Sequence, residues 1–358
     1  MRATPAQSVG WRRAEHLDTM VIGVERQLPL DPFPHYDRAQ TMITRFDKLQ
    51  TELPHPENPS PNSAAAVQEL LGGKFGEMST FMNYTFQSFN FRGRSRMRPF
   101  YDLIANIAAE EFAHIELVSY AINLLLTGTT DRGDDPSEAP LALAADARNS
   151  YHFLASGQQA LPMDSQGNFW TGANVFSSGN LKLDLLHNFF LECGARASKI
   201  RVYETVDDPT ARACVGFLLV RGGVHIVAYA KALEKLSGVD VGKLLPIPDI
   251  SNKRFPEAAR HEARGLHRIL FQFSPEDYPR AGEIWNGQHP EDGSTLEVQV
   301  GGPEGSPPPD LEEESQLTAP VGPDIDPEMF RDVAARLFPE EAPKRKPAPR
   351  ARPVKARR

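Results

Sequence analysis

Four long apolar segments, each bounded by proline or glycine, most constrain how this 358-residue chain can fold. All are rich in Leu, Phe, Ala and Val, and they cover about 62–92, 99–126, 179–204 and 209–237. Gly93 and Gly238 follow two of them, and Asp208-Pro209 opens the last, a common pairing of helix cap and first-turn proline. At roughly 25–30 residues they exceed the average helix of about 11–12. The sequence therefore predicts four long helices.

The links between these segments predict how the helices connect. Short turns join the first to the second and the third to the fourth, whereas about 50 residues rich in Asp, Gly and Pro separate the two pairs. Two helical hairpins with one long crossover are the connectivity of ferritin-like bundles. We predict an all-α, ferritin-like four-helix bundle with one long crossover and an irregular C-terminal extension. Shorter helices are expected near 141–156, at 256–270 and at 326–338.

The composition divides the chain into four predicted parts. Residues 1–41 form an N-terminal extension, for which disorder is one alternative, and 42–300 form the bundle domain. Residues 301–342 are an acidic, Pro/Gly-rich segment with a short helix, and 343–358 are a basic tail predicted to be disordered.

Charge is distributed unevenly between these parts. The formal net charge of the whole chain is −8. The last fifteen residues hold eight Lys or Arg and no acid, so the rest of the chain has a net charge of −16. An acidic body disfavours nucleic-acid binding. Only the tail offers a site for DNA or another anionic partner, and a solvated tail is the simpler alternative.

Cysteine content and apolar run lengths predict the compartment. Two cysteines, Cys193 and Cys214, exclude a disulfide framework and favour a reducing environment. We find no apolar stretch that reaches the roughly 20 residues needed to cross a bilayer. Arg12-Arg13 is not followed by the apolar region of an export signal. We therefore expect a cytoplasmic protein without membrane contact.

Each long segment carries a candidate metal ligand. Glu111 and His114 lie three residues apart on the second, and therefore on one helix face. Glu77 lies on the first segment, Glu192 on the third and His225 on the fourth. The separations within the two hairpins, 34 and 33 residues, place both pairs at mid-length of antiparallel helices. A buried carboxylate is costly unless it is paired, and metal coordination compensates that cost.

The ligand types indicate the metal and leave alternatives open. Three carboxylates and two imidazoles suit two ions such as manganese or iron, with positions left for solvent or substrate. For Glu192, a buried salt bridge with Arg196 is the alternative to metal binding. A di-iron oxidase, peroxidase or storage subunit usually has a second Glu-x-x-His, where this chain has Gly222 three before His225. A metal-sequestering shell protein that protects DNA is the non-enzymatic alternative.

Several long strings of sequence resemble the manganese (non-haem) catalases. The resemblance covers about residues 42–300 and implies a ferritin-like homohexamer that converts hydrogen peroxide to water and dioxygen. The reaction would take place at a dinuclear manganese site cycling between Mn(II)2 and Mn(III)2, and would serve peroxide detoxification. The strings are 71–80, 82–84, 87–93, 101–108, 110–111, 178–181, 185–192 and 219–225.

By this resemblance, five residues bind two manganese ions, with Glu111 bridging them. Tyr84 resembles the family's tyrosine beside the ligands and is expected to hold Glu77 by a hydrogen bond. Lys199 resembles a lysine that one branch places at the pocket mouth. Glu77, Tyr84 and Lys199 are therefore the catalytic candidates. The five predicted metal ligands are Glu77, Glu111, His114, Glu192 and His225.

This sequence differs from one branch of the family at two positions close to the predicted ligands. Another branch has an Arg before the third-helix Glu and a Glu three before the fourth-helix His. Here these positions are Leu191 and Gly222, so we assign the acid/base role to Lys199. Family members can bind calcium at subunit contacts, and Asp102 is the candidate calcium ligand, with Asn252 in the same region.

Overall fold

The computed structural model describes residues 47–128, 147–149, 152, 159–240, 250–274, 276–311 and 327–337. These residues are mostly helical, and the prediction of an all-α, ferritin-like fold is confirmed. Short 3-10 helices lie at Gly172–Asn174, Leu266–Arg268 and Ala281–Glu283. The helices are α1 (Pro61–Gly72), α2 (Glu77–Phe89), α3 (Arg98–Leu126), α4 (Leu181–Thr205), α5 (Pro209–Ser237), α6 (Pro256–Ala263) and α7 (Pro327–Leu337), and the strands are β1 (Ile269–Gln272) and β2 (Glu297–Val300).

The first long segment differs from its prediction. A single helix was expected over 62–92, but α1 ends at Gly72 and α2 begins at Glu77. A Cβ atom on Gly72 would lie 2.4 Å from the carbonyl oxygen of Met163, and one on Gly76 would lie within 3.0 Å of three backbone carbonyls. The absence of a side chain at Gly72 therefore lets the crossover pack against α1, and its absence at Gly76 allows the tight link between α1 and α2. The break places Glu77 in the first turn of α2, where the helix dipole favours a carboxylate.

The long helices pack in pairs around a divided core. α3 packs against α1, α2 and α5, and α4 packs against α5 and α2. One buried apolar cluster includes Leu117 and Phe217, and the other includes Ile107 and Val227. Along α3 and α5, the segments between these clusters carry buried polar side chains. The bundle therefore encloses a polar layer between two apolar ones.

Helix α5 is long and apolar enough, by length and composition, to cross a membrane. The sequence-based statement that no stretch reaches this length is therefore wrong for α5. Its most apolar 18-residue window is completely buried inside the protein. Such burial is typical of the central helix of a bundle, whose entire circumference contacts other elements.

The C-terminal region contains a small sheet that the sequence did not predict. β1 and β2 pair in parallel, with Ile269 opposite Glu297. The helix expected at 256–270 ends at Ala263, because Gly265 adopts a left-handed φ of 80° and turns the chain into β1. α7 matches the helix predicted at 326–338. The predictions for 1–41, for 343–358 and for most of 141–156 lie outside the described residues.

Candidate metal centre

The structure brings the five predicted metal ligands together in the middle of the bundle. Glu77, Glu111 and His114 form one group whose ligand atoms all lie within 4.8 Å of one another, and Glu111, Glu192 and His225 form a second. All five side chains are buried. Glu111 belongs to both groups, which is the position of a bridging carboxylate. Metal binding by these five residues stays a prediction.

Both imidazoles direct Nδ1 at the carboxylates. His114 Nδ1 lies 3.0 Å from Glu111 Oε2 and 3.4 Å from Glu77 Oε2. His225 Nδ1 lies 2.7 Å from Glu111 Oε1 and 3.3 Å from Glu192 Oε1. The two rings stack with centroids 5.7 Å apart. Each oxygen of Glu111 therefore faces a different histidine.

Glu110 and Arg221 lie behind the histidines, and the sequence did not predict a role for either. Glu110 Oε2 lies 3.3 Å from His225 Nε2, and its Oε1 lies 3.7 Å from His114 Nε2. Arg221 donates to both carboxylate oxygens, at 2.5 and 3.1 Å. A carboxylate at Nε2 fixes the ring tautomer and leaves Nδ1 as the ligand atom. The sequence signal that could have identified Glu110 and Arg221 is that each is a charged residue inside a strongly apolar helix.

The carboxylates impose a strongly negative electrostatic potential on the two histidines. Burial raises the pKa of Glu77, but Lys199 and His114 hold it well below its usual range. Burial alone would lower the pKa of His114, whereas Glu111 and Glu110 raise it to about 10. The pKa of His225 is raised well above its usual value by the same two carboxylates, against burial. Such a cluster is electrostatically suited to cations.

Tyr84 has a different partner from the one predicted. Its hydroxyl donates to Glu192 Oε1 at 2.7 Å, so the expected hydrogen bond to Glu77 is wrong. Tyr84 lies two turns beyond Glu77 on α2, and its side chain reaches across to α4. Another hydroxyl that the sequence did not single out, Thr80 Oγ1, donates to Glu111 Oε2 at 3.0 Å.

Lys199 is also placed differently from its prediction at a pocket mouth. The side chain is buried, and Nζ lies 2.9 Å from Glu77 Oε1. A Cβ atom on Gly222 would lie 3.4 Å from Nζ, so the missing side chain at that position leaves room for the lysine. The charge of Glu77 raises the pKa of Lys199 in spite of burial. Lys199 and Glu77 form a buried ion pair beside the other ligands.

Asp102, the candidate calcium ligand, is occupied by other partners. Its buried carboxylate lies 2.5 Å from Arg98 Nε and accepts from the Arg280 amide at 3.0 Å. Asn252 bonds to Arg196 and Glu262. Within the described ranges, Asp102 belongs to no group of three metal-type side chains. Calcium binding stays a prediction.

The donor set fits a pair of manganese ions. Glu77 Oε2 and Glu192 Oε2 are buried without a hydrogen bond. Polar atoms in this state destabilise a fold unless something binds them. Carboxylate oxygens combined with imidazole nitrogens suit divalent ions of intermediate hardness, among them manganese.

Comparison with known proteins identifies the family. The sequence pattern of the manganese-containing catalases matches residues 42–345. This chain belongs to the manganese catalase family. A manganese catalase of Bacillus subtilis is 32% identical over 255 residues, which cover 71% of this chain and 89% of that protein. One from Lactiplantibacillus plantarum is 31% identical over 264 residues, covering 72% and 91%.

A solved structure is also similar. The crystal structure of KatB, a manganese catalase from Anabaena PCC7120, aligns with 73% of this chain and 100% of its own at 25% identity and a TM-score of 0.45. Membership of the manganese catalase family confirms the prediction of an enzyme that depends on manganese.

Proposed function

We propose that this manganese catalase converts hydrogen peroxide to water and dioxygen at two manganese ions held by the five buried ligands. The observation that carries this proposal is the position of Glu111, whose two oxygens face two different histidines within two ligand groups. Manganese, when bound, supplies Lewis acidity and a two-electron couple. Five side chains leave coordination positions for substrate.

The surrounding residues orient the ligands. Tyr84 and Thr80 donate to the carboxylates of Glu192 and Glu111, which restricts how each can rotate. Glu110 lies 3.3 Å from His225 Nε2 and 3.7 Å from His114 Nε2, where its charge faces both imidazoles. Because these partners are all buried, the ligand positions are fixed before substrate arrives.

Protons move within the reaction but none is consumed overall, since two hydrogen peroxide molecules give two water molecules and one dioxygen. One peroxide must gain protons as its O–O bond breaks, and the other must lose them. Lys199 Nζ and Glu77 Oε1, 2.9 Å apart, form a pair able to hold and return a proton beside the ligands. We assign the acid/base role to Lys199, which Glu77 keeps charged beside the ligands.

Metal analysis combined with dioxygen evolution tests the proposal. Purified protein should contain two manganese ions per chain and release dioxygen from peroxide in the presence of azide. Glu111→Gln and His114→Ala should each lower activity by at least about 100-fold with loss of metal, because both remove a ligand. Glu116→Gln, on the same helix but partly exposed, is the control. Bound iron and peroxide consumption without dioxygen would instead favour an oxidase or storage protein.

We also propose a homohexamer in the cytoplasm. Both cysteines are free thiols, which supports a reducing compartment. The large exposed side chains of Phe89 and Phe190 support burial in an assembly, since they are 75% and 56% exposed in the single chain. Light scattering should give about 238 kDa, six times the 39.7 kDa chain. The mass of a monomer would contradict the proposed hexamer.

Calcium binding at Asp102 is a separate proposal, and metal analysis of Asp102→Asn tests it.

A further inference from the structure

A second group of metal-type side chains lies in the C-terminal region, outside the five-ligand centre. His267 lies in the 3-10 turn before β1, and His289 and Asp292 lie in the segment before β2. One ligand atom from each lies within 4.8 Å of the others. The two imidazole rings are nearly perpendicular, with centroids 5.0 Å apart.

The separations within this group suit a single small ion. His267 Nε2 lies 2.9 Å from Asp292 Oδ2, and His289 Nδ1 lies 3.3 Å from Asp292 Oδ1. Ligand atoms about 2.0–2.1 Å from a tetrahedral zinc ion are about 3.3 Å from one another. The amide of Glu291 donates to His289 Nδ1 over 3.3 Å, a long hydrogen bond that coordination would replace.

The group is also held in place by its surroundings. Ser294 donates to Asp292 Oδ1 from its amide at 3.0 Å and from its hydroxyl at 2.8 Å, which orients the carboxylate as partners of metal ligands do. The amide of His289 donates to the carbonyl of Ser294 at 2.7 Å, closing the 288–295 hairpin. His267 Nδ1 is buried without a hydrogen bond.

Charge in the group favours a cation. Burial and the neighbouring His267 lower the pKa of His289. Although burial raises it, hydrogen bonds from Ser294 hold the pKa of Asp292 well below its usual range.

We propose that His267, His289 and Asp292 form a zinc site, with water as the fourth ligand. Two imidazoles and one carboxylate suit a borderline ion such as zinc, whereas calcium prefers oxygen ligands alone. The ion would fix the 288–295 hairpin to the turn before β1. That turn matters for the manganese centre, because the carbonyls of Leu266 and Ile269 accept hydrogen bonds from Arg221.

Zinc titration of the full-length, manganese-loaded protein tests this site. We expect one zinc per chain by calorimetry with manganese retained, and a higher melting temperature when zinc is present. Asp292→Asn and His289→Ala should weaken zinc binding at least about tenfold and lose the shift in melting temperature, since each removes a ligand. His55→Ala, an exposed histidine elsewhere in the chain, should bind zinc as the wild type does.

Two controls keep the result interpretable. Asp292→Asn preserves side-chain shape, and a cooperative melting transition without zinc separates lost coordination from misfolding. Cobalt added in place of zinc should give the visible absorption of a four-coordinate ion in the wild type and not in the variants. The site is ruled out if zinc only replaces manganese one for one, if none binds, or if both variants bind zinc with wild-type affinity.

Discussion

At the scale of single residues, Glu110 determines how both histidines are presented, although it is not a predicted ligand. We expect Glu110→Gln to lower manganese retention and activity about 10- to 100-fold, because each Nε2 loses its carboxylate partner. The same change leaves Arg221 buried without its counter-charge, which typically costs about 3–5 kcal/mol. Metal analysis, dioxygen release and urea denaturation measure these effects. Wild-type metal content and activity, equal to Glu116→Gln, would show that Glu110 does not position the ligands.

His261 provides a residue-scale prediction about pH. Its ring packs against Phe217, and burial together with Arg260 and Arg264 lowers its pKa from 6.5 to about 4. The unfolded chain therefore binds this proton at a higher pH than the folded chain does. The resulting stabilisation is complete above pH 6.5 and is lost as the pH falls from 6.5 towards 4.

Replacing His261 should therefore flatten the acid side of the stability profile. We expect the urea midpoint of His261→Gln to fall less between pH 7 and pH 4.5 than that of the wild type. His55→Gln, which changes an exposed histidine, is the matched control. Parallel wild-type and His261→Gln profiles would mean that His261 titrates alike in both states.

At the scale of elements, the break between α1 and α2 depends on a contact that a larger residue would prevent. We expect Gly72→Ala to lower stability by about 1–3 kcal/mol, because its Cβ would overlap the Met163 backbone at 2.4 Å. Gly172→Ala is the matched control, since a Cβ there meets nothing within 4 Å. Urea denaturation distinguishes them. Equal stability of both variants would mean that the crossover can move away from α1.

The same break shows what the sequence can and cannot predict about elements. The bounds of α3, α4 and α5 agree with their predictions within two residues, because apolar runs, proline and capping residues are local signals. The break at 73–76 was missed because its cause, contact with the distant Met163, is not encoded locally. The four-residue strand β1 was missed because a short apolar run is compatible with either helix or strand.

The ligands were predictable for a related reason. Spacing along helices determines which residues share a face and a level, and this places Glu111, His114 and the other ligands. Which side chain reaches which partner across the bundle depends on rotamers and packing. For that reason the sequence predicted the wrong partner for Tyr84 and a pocket-mouth position for Lys199, which is buried against Glu77.

At the scale of the whole molecule, a charged polar layer lies between two apolar clusters. The net charge of the chain is divided unequally along the sequence. Residues outside the basic C-terminal stretch carry −16, while the stretch 344–358 carries eight positive charges. Duplex DNA repels an acidic body and attracts Lys and Arg with a steep dependence on salt. Any affinity of this catalase for nucleic acid should therefore depend on residues 344–358 alone.

A truncation tests this division of charge. The full chain should be retained on immobilised duplex DNA only at low ionic strength, and retention should fall steeply as salt is added, because counterions compete for the phosphates. A chain ending at residue 343 should pass through at every salt concentration, as should a full-length variant with the eight tail cations changed to Gln. Catalase activity per chain should be the same in all three, since every proposed ligand lies before residue 226. Equal retention of the truncated chain would mean that the acidic body itself binds DNA, and would contradict the repulsion that its charge predicts.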